Sequence, residues 1–403
     1  VGEWTKKTLG EVVRFNYGKS LPAKKRIFGD VPVYGSNGIV GYHKTAIVNG
    51  PGIIVGRKGS VGAVHISRQP FCPIDTTYFI IRQGLDHDLN FLYYLLLSLD
   101  LSRLVSDLVP GLNRDLAYLQ EIYIPIEKSE QRRIAAILSA VQRAIEQQEE
   151  LIARTTELKK ALMYKLFTEG TRGEPQKDTE IGIVPESWEI FRLDDIADSF
   201  TYGTSVKCDY NISGVPVLRI PNVVGGQIDL IDIKYGLLNS AEIENLKLKY
   251  GDLLFVRTNG VKENAGRCSM YRNEILNGCY FASYLIRVRF QTDKILPEFV
   301  NEYTRTETGS SFLSGKASRT ADGKFNINTG TLKGVIIPVP SLDEQREIVE
   351  EIGLIDEKSV NHKSHLQLLK DLFKTLLHQL MTAEIRVDNV DLSKLRDIGI
   401  DVE

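Results

Sequence analysis

The 403-residue chain contains no apolar run long enough to span a bilayer, and the residues from Val1 onward form no signal-like segment. Its four cysteines, Cys72, Cys208, Cys268 and Cys279, show no Cys-x-x-Cys spacing, which supports neither a zinc ribbon nor a disulfide framework. Scattered free thiols fit a reducing cytoplasm. There is no GxxxxGK[ST] loop, so nucleotide hydrolysis has no obvious seat. The glycine-rich run Gly56–Gly62 lacks that spacing, and no helical pattern follows it as a dinucleotide site requires. The Asn/Asp-Pro-Pro-aromatic loop used in adenine methylation is missing too. His362 and His365 could share a helix face, but no carboxylate or cysteine ligand accompanies them, which favours a solvated face over a metal site. Glu157-Leu158-Lys159 has the form of an acid-x-lysine motif without a second acidic partner, and is read as helix surface.

Charge of one sign is also scarce overall, with a net −2, but the average hides an asymmetry. Residues 1–85 hold twelve Lys/Arg against four acids, Glu3, Glu11, Asp30 and Asp75, an excess of +8. A local excess of that size is what phosphate binding needs. A length of 403 residues with 42% hydrophobic and 25% charged residues indicates a globular protein of two to four domains.

Proline is absent from two long stretches, Glu130–Leu166 and Glu344–Leu380, and the two are in register 214 positions apart without a gap. Both open on Glu-Gln-Arg. Ile134, Leu138, Val141, Ile145, Gln148, Ile152, Thr155, Lys159, Leu162 and Leu166 follow a 4-3-4-3 spacing. The matching positions are Ile348, Ile352, Ile355, Ser359, His362, Leu366, Leu369, Phe373, Leu376 and Leu380. That spacing is the seam of a helix that pairs with another helix. The one glycine, Gly353, costs only about 1 kcal/mol of propensity. Each helix would be about 55 Å long. Gln148 and His362 fall near mid-seam, where a polar layer could fix register or could simply be tolerated.

The flanking segments repeat as well. Trp4-x4-Leu9-x2-Val12 returns as Trp188-x4-Leu193-x2-Ile196, and Tyr17-Gly18-Lys19-Ser20 as Tyr202-Gly203-Thr204-Ser205. Val31-Pro32-Val33 returns as Val215-Pro216-Val217, and Ile122-Tyr123-Ile124-Pro125 as Val335-Ile336-Ile337-Pro338. The expected order is a mixed domain over 1–128, a long helix over 129–170 capped by Ser129, and a polar linker over 171–187. A second domain over 188–341, a second long helix over 342–384 and a tail over 385–403 complete it. Within the first domain, a helical pattern covers Leu89–Leu104 and a strand Ile122–Ile126. The fold class is α+β: two tandem mixed α/β domains, each followed by a long helix. Connectivity makes the helices pair antiparallel, a coiled coil with approximate two-fold symmetry. Its interface comprises Ile134, Leu138, Val141, Ile145, Ile152, Leu162, Ile348, Ile352, Ile355, Leu366, Leu369, Phe373 and Leu376.

The turns carry basic, amide and aromatic side chains suited to phosphates and base edges. In the first half the candidates for DNA contact are Lys19, Lys24, Lys25, Arg26, Tyr34, Ser36, Asn37, Arg57, Lys58 and Ser60. In the second they are Tyr202, Ser205, Lys207, Arg219, Asn222, Arg257, Thr258, Asn259, Lys262, Arg319 and Lys324. Any one of these could equally be an ordinary solvated turn residue; the paired loops as sets favour contact.

Trp188-Glu189 after Pro-Glu-Ser, Val217–Val223, Gly251-Asp252-Leu253-Leu254, Ile337–Gln345 and Leu377–Val387 carry a family likeness. The chain resembles the specificity subunit of type I restriction–modification systems over essentially its whole length. The resemblance implies two target recognition domains reading the halves of a bipartite, asymmetric double-stranded DNA sequence. It implies helices that set the gap and dock two methyltransferase subunits, with restriction–translocase subunits joining, in a prokaryotic cytoplasm. It gives this chain no catalytic or metal-binding residues, and assigns S-adenosylmethionine, ATP and Mg²⁺ to the partners. A stand-alone DNA-modifying or DNA-cutting enzyme and a purely structural coiled-coil adaptor are the rival readings.

Overall fold

The structure, a computed structural model, describes residues 3–105 and 111–387. The tail expected from 385 onward therefore lies, from residue 388, outside the described residues. The chain divides into two compact units, Val1–Leu151 with His362–Glu403, and Ile152–Asn361.

In the first unit, Gly52–Gly56 is a continuous apolar run whose Ile53, Ile54 and Val55 are fully buried, as a central strand requires. It is flanked by Thr77–Ile81 and Val64–Ser67, and Asn16–Tyr17 completes a four-stranded antiparallel sheet. A three-stranded sheet centres on Val31–Gly35, pairing antiparallel with Gly38–His43 and parallel with Cys72–Pro73. Trp4–Thr8 pairs with Glu121–Pro125, the strand that leads into the long helix. The helical pattern at Leu89 stops earlier than its apolar residues suggest. The helix is Leu89–Ser98, and Asp100, at φ 42°, turns the chain into a short 3-10 turn at Leu101–Arg103.

The second unit repeats this order. Leu253–Val256, fully buried, sits among Leu285–Phe290, Cys268–Met270 and Ala197–Tyr202. Val215–Leu218 pairs antiparallel with Lys234–Gly236 and parallel with Tyr280–Phe281, and Glu189–Arg192 pairs with Ile336–Val339. Two additions distinguish it. A small sheet joins Thr258–Asn259, Phe325–Asn326 and Ser318–Arg319. The stretch expected to be a polar linker is instead a hairpin, Gln176–Thr179 with Gly182–Pro185, because its Ile181 and Val184 are buried in the core of this unit.

The long helices are Lys128–Glu169 and Leu342–Met381. The first begins one residue before the expected Ser129 cap; the second does use Ser341, whose Oγ accepts from Glu344 N at 3.3 Å. Gly170, at φ 66°, ends the first helix in the left-handed conformation that glycine adopts without strain. Every seam position is buried or half-buried, whereas most positions between them are exposed. In the first unit Ile134 and Leu138 share a core with Phe373, Leu376 and Leu380. In the second, Leu162 and Leu166 share one with Ile348 and Ile352. Early residues of one helix meet late residues of the other in each case, so the pairing is antiparallel. Lys159 is not surface. It is a seam residue, its side chain is 15% exposed, and its ammonium lies 2.5 Å from Asp356 and 3.8 Å from Glu302.

Candidate nucleic-acid interface

In the first unit, Tyr17 ends one strand and Arg57 follows another, with Thr77–Ile81 lying between the two in the sheet. Gly18 makes the approach possible: a Cβ there would sit 1.9 Å from the Ile74 carbonyl oxygen. The Arg57 guanidinium lies 5.5 Å from the centre of the Tyr17 ring and donates to the Asp75 carbonyl at 2.6 Å. A second guanidinium, Arg114, lies 5.5 Å from the same ring. The Arg57 carbonyl is held by Leu112 N at 2.8 Å.

The second unit builds the same arrangement. Gly203 allows a comparable approach, with a Cβ falling 2.2 Å from the Phe281 oxygen. Arg257 lies 4.8 Å from the Tyr202 ring and donates to the Ser283 carbonyl at 3.3 Å, and its own carbonyl accepts from Ile327 N at 2.8 Å. Where Arg114 stands in the first unit, one residue after the Asn113 cap, Thr329 follows the Asn328 cap. Tyr202 accepts from Thr329 N at 3.0 Å and donates to Thr329 Oγ1 at 3.3 Å. Burial pushes the Tyr202 phenol up, but the Thr329 hydrogen bonds and the Arg257 charge outweigh it and leave it below its ordinary value. An arginine fixed against an aromatic ring presents a preoriented fork to a phosphate or a guanine edge.

The sequence candidates distribute unevenly around these centres. Lys19, Lys24, Lys25, Asn37, Lys58 and Ser60 are exposed, and Ser36 is half-buried at the tip of the Val31–His43 hairpin. Tyr34 is buried, packed edge-on against Phe71, and belongs to the core. Arg26 spends its guanidinium on the Leu21 and Val40 carbonyls, at 3.2 and 2.7 Å. In the second unit Thr258, Asn259, Arg319 and Lys324 lie on or beside the small sheet next to Arg257, and Lys262, Ser205 and Lys207 are exposed. Asn222 is 1% exposed and holds its own loop through the Asp229 and Asp232 carbonyls. Arg219 is bound to Asp232 at 2.6 Å. Burial and local pairing thus give Tyr34, Arg219 and Asn222 structural work. Tyr17, Arg114 and Thr329 were not among the sequence candidates. The echo of Tyr-Gly in both halves pointed to Tyr17; nothing in the sequence pointed to the other two. Among the described residues no group of three or more His, Cys, Asp or Glu is placed to hold a metal ion, and no helix is long and apolar enough to cross a membrane.

The profile described as the type I restriction modification DNA specificity domain matches residues 2–154 and 185–380. The chain belongs to this family. Both matched regions of the DNA specificity family member contain one Tyr–Arg centre, and each runs into one of the long helices. The MjaVIII type I restriction enzyme specificity subunit of Methanocaldococcus jannaschii is 27% identical over 287 residues, covering 69% of this chain and 65% of that protein. The EcoKI specificity subunit of Escherichia coli K12 is 27% identical over 231 residues, covering 52% and 49%. The aligned regions thus span from about half to just under two thirds of these relatives' lengths. The S subunit of a type I restriction-modification system from M. genitalium shares the fold, with a TM-score of 0.64 at 18% identity, covering 94% of this chain and 96% of that one. A chain solved in work on assembly and conformational transition of the type I system gives 0.55 at 16% identity, covering 94% and 97%.

Proposed function

We propose that this specificity-family chain reads a bipartite DNA target, one half-site per unit, and contributes no catalytic residue itself. The observation that carries this reading is the duplicated centre, Arg57 on Tyr17 and Arg257 on Tyr202, at matching positions of two units whose surrounding loops differ. One shared geometry with divergent loops is what two readers of different sequences need. The long helices set the spacer and dock two modification subunits, and restriction–translocase subunits join that assembly. Those partners would use S-adenosylmethionine, ATP and Mg²⁺. Half-sites about one helical turn apart place both readers on one side of the duplex.

The test is Arg57→Ala and Arg257→Ala in the assembled methyltransferase. Loss of about 1–3 kcal/mol of discrimination at one half-site only is the expected result, with the other half-site unaffected. A uniform loss with a shallower salt slope assigns the arginine to phosphate instead. Methyl transfer by the purified chain alone with S-adenosylmethionine would defeat the non-catalytic reading.

A further inference from the structure

We propose that Phe28 is a wedge that enters the duplex between stacked base pairs, an inference that rests on the DNA-reading function above. Phe28 is 96% exposed, next to Ile27 at 61%, and at that exposure its ring gains nothing from the fold. It does not hang on a slack loop. Arg26 clamps the segment through the Leu21 and Val40 carbonyls, and Ile27 N donates to His43 Nδ1 at 2.9 Å. Gly29 passes so close to the residue after the Gly38–His43 strand that a Cβ would lie 2.5 Å from Lys44 Cα. The backbone on both sides of the ring is therefore fixed, and the ring is held out in solvent.

The chemistry around it selects the partner. The loop leaves directly from Tyr17, the aromatic member of the Arg57 centre. Lys19, Lys24 and Lys25 on the same loop and Lys44, whose Cα lies beside Gly29, are exposed, and Asp30 is the one acid between residues 19 and 30. Val40 and Tyr42 are exposed on the strand that Arg26 grips. A single protruding ring in a lysine rim fits a polyanion with a cleft between stacked planes. Aromatic and aliphatic wedges unstack and kink duplexes in this way, and the lysines would hold the flanking phosphates. Exposure alone would not support this. In the second unit Ile231 is 93% exposed, but it stands between Asp229 and Asp232, where phosphate is repelled.

The experiment uses the full chain assembled with its modification subunit, and duplexes of the sequence that this complex methylates, with 2-aminopurine placed at successive steps. Away from the methylated adenines, which the modification subunits flip themselves, the wild type should raise fluorescence at one step. Phe28→Ala should abolish that rise and bind about tenfold more weakly, with an unchanged salt slope. Phe28→Trp should retain both properties, and Lys24→Ala with Lys25→Ala should flatten the salt slope. Because the ring is exposed, the melting temperature of Phe28→Ala should match the wild type. Unchanged affinity and fluorescence in Phe28→Ala would overturn the wedge. So would intact DNA binding with weakened assembly, which would make Phe28 a protein-docking residue. Failure of the wild type to bind any duplex would instead defeat the underlying DNA reading.

Discussion

The indole nitrogen of Trp188 donates to Glu344 Oε2 at 3.2 Å, tying the start of the Glu189–Arg192 strand to the start of the second long helix. Trp4 and Glu130 make the same bond at 3.0 Å in the first unit. The neighbouring glutamines complete the joint. Gln345 accepts from Leu296 N and donates to the Lys294 and Pro340 carbonyls, while Gln131 accepts from Asp88 N and donates to the Pro125 carbonyl. All four Glu and Gln residues are at most 3% exposed. The repeated Glu-Gln is thus a buried joint between helix and sheet.

Removing one side of such a joint leaves buried donors unpaired. Glu344→Ala orphans Trp188 Nε1 and Thr171 N, and should cost about 1–3 kcal/mol. Hydrogen exchange should report the loss at amides of the second unit, with those of the first unit unchanged. Glu130→Ala should give the reverse pattern. Equal loss in both units would contradict a local joint.

The polar centre of the seam is also paired. Gln148 Nε2 lies 2.7 Å from His362 Nδ1 and donates to the His362 carbonyl at 3.1 Å. Gln148→Leu alone should destabilise the helix pair by about 1–3 kcal/mol, because it leaves the imidazole of His362 without this partner. Gln148→Leu with His362→Leu should recover that loss but loosen register, as polar seam residues specify alignment at a cost in stability. Urea melts and cysteine cross-linking across the seam read the two effects separately.

Burial pushes the thiols of Cys268 and Cys279 up to about 12, and raises Cys72 and Cys208 as well. The buried phenol of Tyr94 also rises to about 12. These groups stay protonated in the native chain while their unfolded forms ionise near 9 and 10. The unfolded state therefore binds fewer protons across that window, and stability falls as pH rises from about 9 towards 12. At pH 8, iodoacetamide should label Cys268 and Cys279 at least about tenfold more slowly in the native chain than in urea. Rates equal in both states would contradict their burial.

The seam was legible in the sequence because helix pairing repeats within four residues, so the apolar positions declare themselves locally. The sheets were legible where a run such as Gly52–Gly56 is apolar throughout. The joint was visible only as repeated letters, since Trp188 and Glu344 are 156 residues apart. Arg114 also reaches Tyr17 from far along the chain and left no trace. Tyr34 and Asn222 looked like loop residues available to DNA, and only the packing shows that Phe71 and the Asp229–Asp232 carbonyls occupy them. Lys159 shows the converse: placed on the seam by its spacing but read as surface for want of a second acidic partner, it is paired there with Asp356 and Glu302.

The most direct measurement concerns helix length. Inserting seven residues beside Gln148 and seven beside His362 keeps the seam in phase and adds roughly 10 Å, the rise of about 3 bp. Sequencing of methylated adenines in cells carrying this variant with its modification subunit should show both half-sites unchanged and the spacer longer by about 3 bp. Full methylation of the original sequence with its original spacer would contradict the claim that the paired helices measure the distance between half-sites.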